Sequence, residues 1–186
     1  MSRVVLFNKP YGVICQFSPW AGKKTLKDFV PIPDIYPAGR LDTDSEGLLI
    51  LTNDGALQNT ISHPAGKWPK SYWVQVENVP DEAALAILRK AVDLGDFVTA
   101  PAIVNPIAEP LGLWARTPPI RVRQNIPTSW LDIEIAEGKN RQIRRMTAAA
   151  GFPTLRLIRH RVGRWTLAGL ESGQYRLLAA GELRLW

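Results

Sequence analysis

The chain of 186 residues carries 23 Lys and Arg against 17 Asp and Glu, a formal net charge of +6, and 46% of it is hydrophobic. That length and apolar content suit one compact domain, or two small lobes sharing a core, and the charge favours a polyanionic partner. Cys15 is the sole cysteine, which excludes an internal disulfide, and with only His63 and His160 beside it a dedicated zinc site and zinc-dependent base deamination are excluded too.

Val4 to Phe7 and Gly12 to Phe17 read as strands around the turn Asn8-Lys9-Pro10-Tyr11-Gly12, and a short helix is expected over Thr25 to Phe29. Val4 to Phe7 is too short for a signal-peptide core, and no other stretch is long enough to span a membrane, so a cytoplasmic protein without membrane contact is expected. Leu48 to Thr52 is a buried strand and Ala56 to Ser62 a helical stretch. Lys70 to Glu77 alternates Tyr72, Val74 and Val76 against Ser71, Trp73 and Gln75, which predicts a strand with Tyr72 on the Val74 face.

Pro80-Asp81 opens a helix to about Ala91, with Leu85, Ile87 and Leu88 on its apolar face. Pro101 to Pro127 is rich in proline and predicts a β-rich insertion of edge strands with basic tips. Thr128 to Ile135 alternates again as a strand, and Glu137-Gly138-Lys139 makes a turn. Asn140 is the expected cap of a helix to Ala150 stopped by Gly151, with Ile143, Met146, Thr147 and Ala150 as its inner stripe. Thr154 to Arg159 and a segment near Tyr175 to Leu178 complete the strands. Strands and helices mix without βαβ alternation, so the fold class is α+β, around a mixed or largely antiparallel sheet with flanking helices.

The densest polar signal is Gly39-Arg40-Leu41-Asp42-Thr43-Asp44-Ser45-Glu46-Gly47, set just before an apolar strand. A calcium loop starting at Asp42 needs a bidentate Glu at its twelfth position, and Asn53 stands there. An Asp-x-Asp phosphotransferase site usually follows a hydrophobic strand, whereas Tyr36-Pro37-Ala38 precedes this one. For Asp44, Ser45 and Glu46 the simpler reading is turn structure, since such side chains bond nearby backbone. Asp42 beside Arg40 remains a carboxylate held in a rigid turn and able to do chemistry.

The Gly39-Arg40-Leu41-Asp42 stretch resembles the signature of the RNA pseudouridine synthases that modify ribosomal RNA at single uridines. Four further pieces are similar to the same family: Lys9-Pro10-Tyr11-Gly12, Lys70-Ser71-Tyr72, Glu137-Gly138-Lys139-Asn140-Arg141-Gln142-Ile143-Arg144-Arg145-Met146, and Leu157-Ile158-Arg159. The resemblance spans nearly the whole chain. It implies that residues 1–186 form a single catalytic domain of two lobes sharing a sheet, with a central RNA-binding cleft. The resemblance further implies a chain that starts at this domain, without the S4-type RNA-binding module of many relatives, and a likeness to the short enzymes that modify one uridine in 23S ribosomal RNA.

By that resemblance Asp42 is catalytic, Tyr72 stacks on the target base, Arg144 pairs with Asp42, and Leu157 packs in the pocket. The RNA-binding set is Lys9, Arg40, Lys139, Arg141, Arg145 and Arg159, and the reaction needs neither cofactor nor metal. The C1′–N1 bond breaks, uracil turns, and C1′ rejoins C5. Asp42 could attack the sugar, attack the ring, or remove a sugar proton. The implied partner is large-subunit ribosomal RNA or an assembly intermediate, acted on by a monomer. Ser45 stands where many relatives have Thr, a change that keeps the hydroxyl. Trp20 and Trp68, each near lysines, could stack on RNA bases. Two other readings are a noncatalytic ribosomal RNA-binding protein and a metal-dependent phosphohydrolase using Asp42 and Asp44.

Overall fold

The computed structural model describes residues 2–63, 68–121, 123–179 and 182. In chain order the elements are β1 (Val4–Lys9), β2 (Tyr36–Pro37), β3 (Glu46–Thr52), α1 (Gly55–Ser62), β4 (Lys70–Glu77), α2 (Glu82–Arg89), β5 (Ile103–Ile107), β6 (Thr128–Ile135), α3 (Gln142–Ala149), β7 (Thr154–Val162), β8 (Trp165–Thr166) and β9 (Tyr175–Leu177), with a 3-10 turn at Leu26–Asp28. This is the expected α+β class. The chain divides into two compact units, Met1–Lys67 with Arg164–Trp186, and Trp68–Gly163. Lys67, one of the lysines near Trp68, lies outside the described residues.

The first unit is built on β1 and β3, which pair antiparallel from Val4↔Thr52 to Lys9↔Gly47. Every residue of both strands is buried, so they read as continuous apolar runs rather than as alternation. β9 pairs with β1, and β2 pairs with β3. The ladder takes in Asn8 and Lys9, two residues beyond the apolar run of β1, opposite Leu48 and Gly47, and β3 itself begins at Glu46. Glu46 is therefore a buried strand residue, 1% exposed, and not turn structure. α1 starts as its Asp54 cap requires, that carboxylate accepting from Ala56 N at 3.0 Å and Leu57 N at 3.1 Å.

The strand expected over Gly12 to Phe17 does not form. Gly12 has φ 80, which turns the chain at the point where extension would have to begin. Residues 13–17 instead form a loop tied to the next segment by an isolated Ile14↔Thr25 bridge, with Ile14 N donating to Lys24 O and Leu26 N to Gln16 O, each at 2.9 Å.

The second unit is an antiparallel sheet in the order β5-β6-β4-β7. β4 alternates as predicted, with Tyr72, Val74 and Val76 buried and Trp73, Gln75 and Glu77 half-buried. The proline-rich stretch contributes β5 at the sheet edge, where Pro106 is tolerated, and no other strand among its described residues. α2 is capped by Asp81, which accepts from Ala84 N at 2.8 Å. α3 buries Gln142, Ile143, Met146 and Thr147, and Gly151 at φ 89 stops it as expected. Its N-cap is Arg141 rather than Asn140. No helix among the described residues is long and apolar enough to cross a membrane.

Candidate active site

Asp42 lies half-buried in the turn that feeds β3. Its carbonyl accepts from Ser45 N at 3.1 Å, which closes the turn on itself. Gly12 N donates to Thr43 O at 2.8 Å, so the Lys9-to-Gly12 segment is docked against the residue after Asp42. The carboxylate-bearing turn is thus held by the start of a buried strand on one side and by a second loop on the other. That removes backbone freedom in advance of any reaction. Arg40, two residues earlier, is exposed.

Lys9, expected among the RNA-binding residues, is placed inside the fold. Lys9 is 0% exposed, and its ammonium donates to Pro10 O at 3.0 Å and Val13 O at 2.8 Å. Burial pushes its pKa from 10.5 down to about 8, opposed by the negative groups of Cys15, Glu46, Asp44 and Asp42. A buried cation near these acids shapes the loop and the local potential; it has no surface from which to meet a phosphate.

In the second unit Tyr72, 8% exposed, sits on β4 opposite Ile133 of β6 and Arg159 of β7. A register shift between Ser71↔Arg161 and Tyr72↔Arg159 skips His160, and this bulge is what brings Arg159 across from the tyrosine. Leu157 lies opposite Val74, on the same face. Lys70, two residues before Tyr72, donates to Trp68 O at 3.1 Å. Burial, and then the charge of Arg159, lower its pKa to about 8. Arg159, expected among the RNA-binding residues, is itself 3% exposed, an inward charge beside Lys70.

The late basic motif forms a turn with an unusual backbone. Arg141 has φ 50 and ψ 29, the left-handed region, at the start of α3 and with no side-chain cap. Gln142 holds the turn instead, its side chain accepting from Lys139 N at 3.0 Å and donating to Glu137 at 2.6 Å. Glu137 also accepts from Ala100 N at 2.8 Å, tying the motif to the preceding loop. Lys139 and Arg141 remain exposed on this turn. Arg144 is half-buried and donates to Thr154 O at 3.5 Å, at the start of β7.

Arg145 is expected on the same RNA face, yet its guanidinium pairs with Asp96 and donates to Leu94 O at 2.8 Å, while stacking 5.0 Å from the Phe97 ring centroid. It anchors the 94–97 loop. The sequence carries no local mark of this, because the partner acid lies 49 residues away. Among the described residues no three His, Cys, Asp or Glu side chains come together as a metal site.

Residues 3–149 match the family described as RNA pseudouridylate synthase. The chain belongs to this family. The pseudouridine synthases it resembles include a ribosomal large subunit pseudouridine synthase E of Vibrio parahaemolyticus, 55% identical over 174 residues, covering 94% of this chain and 73% of that one. A protein of the same description from Xanthomonas campestris is 51% identical, covering 97% and 98% of the two chains. A ribosomal large subunit pseudouridine synthase B of Bacillus subtilis is 35% identical, covering 96% and 69%. Among solved structures, a pseudouridylate synthase crystal structure superposes with a TM-score of 0.78 at 26% identity, covering 98% of this chain and 73% of that one. The chain is an RNA pseudouridine synthase, an isomerase.

Proposed function

We propose that this enzyme converts one uridine of large-subunit ribosomal RNA to pseudouridine, with Asp42 as its catalytic residue. The observation that carries the proposal is the rigidity of the Asp42 turn, clamped by Gly12 and by the first residues of β3 in a chain of this family. The relatives named for the ribosomal large subunit supply the substrate class.

The reaction conserves every atom of the nucleotide: the C1′–N1 bond breaks, C1′–C5 forms, C5 loses a proton and N1 gains one. No electron acceptor or group donor is required, so the reading calls for no cofactor. The site must instead hold the detached uracil and keep water from C1′. Tyr72 supplies an aromatic surface for a base taken out of its stack, and Leu157 an apolar wall. Arg144 is assigned as the ion-pair partner of Asp42 in the RNA-bound enzyme.

Lys139, Arg141 and Arg40 are assigned to phosphate contact, in keeping with their exposure. Lys9, Arg159 and Arg145 are assigned to positioning, in keeping with their burial and their partners. The enzyme is proposed to work as a cytoplasmic monomer on the RNA or on an assembly intermediate.

The test is to map pseudouridines in large-subunit RNA from cells with and without the gene. One site is expected to disappear and to return with the wild-type gene. An unchanged map at every large-subunit uridine would overturn the proposal.

A further inference from the structure

The two tryptophans that the sequence sets beside lysines are in different situations. Trp68 is half-buried, and a Cβ built on Gly163 would sit 2.7 Å from its ring, so the indole packs closely against that glycine. Trp20 is 56% exposed. It stands at the first corner of a tight turn in which Lys23 N donates to Trp20 O at 3.2 Å and Gly22 supplies the positive φ, 72. The turn is moored on both sides by the Ile14–Lys24 and Gln16–Leu26 backbone bonds, and Thr25 and Leu26 behind it are buried.

Lys23, Lys24 and Lys27 are all exposed around this tip. The one acid among them, Asp28, is directed back at Thr25, accepting from its backbone N at 2.7 Å and its hydroxyl at 3.2 Å. The indole is thus presented to water on a turn tied down at its base by backbone bonds. A fixed aromatic face flanked by cations is what an unpaired nucleotide requires: a surface for the base and charges for the phosphates on either side.

We infer that the Trp20 tip is a second RNA contact, which stacks an unpaired base of the substrate away from the target uridine and holds the neighbouring phosphates through Lys23, Lys24 and Lys27. This rests on the reading of the chain as an enzyme of large-subunit RNA, and it assigns part of the substrate choice to a turn outside the family's signature motifs. A purine is favoured as the stacked base, since its larger face covers more of the indole.

The experiment compares wild type, Trp20→Ala and Trp20→Phe in turnover of a large-subunit RNA transcript, with ultraviolet crosslinking of the wild-type complex read by peptide mass. Trp20→Ala is expected to raise KM about tenfold, the effect of one lost stack, with kcat little changed and Trp20→Phe recovering most of the loss. The crosslinked peptide is expected to contain Trp20. An unchanged KM in Trp20→Ala, or crosslinks that avoid the 20–27 segment while wild type turns over normally, would overturn the inference and leave the proposed function standing. Absence of wild-type turnover would instead strike at that function, and the crosslink alone would then decide whether the tip binds RNA.

Discussion

Lys9 gives the residue scale its clearest physical signature. Its pKa falls from 10.5 to about 8 on burial, so between about pH 8 and 10.5 the unfolded chain holds a proton that the folded chain has released. Stability therefore rises with pH across that window, and the cost of burying the charge is felt in full below it. Lys70, lowered to about 8 by burial and Arg159, contributes in the same direction. We expect denaturant midpoints to climb from pH 8 to 10 in wild type, and Lys9→Met to lose roughly half of that climb. An undiminished climb in Lys9→Met would mean that Lys9 is not the buried base. The lysine is legible in the sequence as part of a Lys-Pro turn, but its burial is not. That depends on β1 continuing two residues beyond its apolar run, which pairing with Leu48 and Gly47 decides and local composition does not.

At the scale of elements, the packing of Gly163 under Trp68 makes a sharp prediction. Gly163→Ala places a methyl group against the ring at 2.7 Å on a backbone with φ +55, so both space and conformation oppose it. We expect a loss of about 1–3 kcal/mol in urea denaturation. A variant as stable as wild type would show that the indole moves aside freely. The Arg145–Asp96 pair is different, because both partners are at the surface and exposed pairs contribute little to global stability. Asp96→Ala should speed amide exchange at 94–97 while barely moving the denaturation midpoint; unchanged exchange would dismiss the clamp.

The strands β4 and β6 are readable because each alternates over at least five residues. The start of α3 is not, since Arg141 adopts a left-handed conformation that no propensity favours. It is held by Gln142, bonded to Lys139 N and Glu137, and by the bond from Ala100 N to Glu137, which arises only once the chain is folded. β2 escapes notice for a simpler reason: two residues ending in proline carry no periodic pattern.

Over the whole molecule, the net charge of +6 overstates what is available to RNA. Lys9, Arg156 and Arg159 are buried, and Arg89, Arg123, Arg145, Arg161 and Arg176 are paired with carboxylates. The exposed cations that remain on named motifs include Arg40, Lys139, Arg141 and the lysines of the Trp20 tip. Neutralising Lys139 or Arg141 should weaken binding to any RNA alike and reduce the slope of log affinity against log salt by about 0.7 each, the value for one phosphate contact on a single strand. A slope identical to wild type would remove that residue from the phosphate set. A selective loss for one RNA would make it a reader of sequence or shape.

The central claim is that Asp42 carries the chemistry while the rest of the chain binds and positions. Purified Asp42→Asn, which keeps the size of the side chain and removes its charge, should form no detectable pseudouridine in a large-subunit RNA that wild type modifies, yet bind that RNA within about threefold of wild-type affinity. Turnover near the wild-type rate in Asp42→Asn would contradict the account.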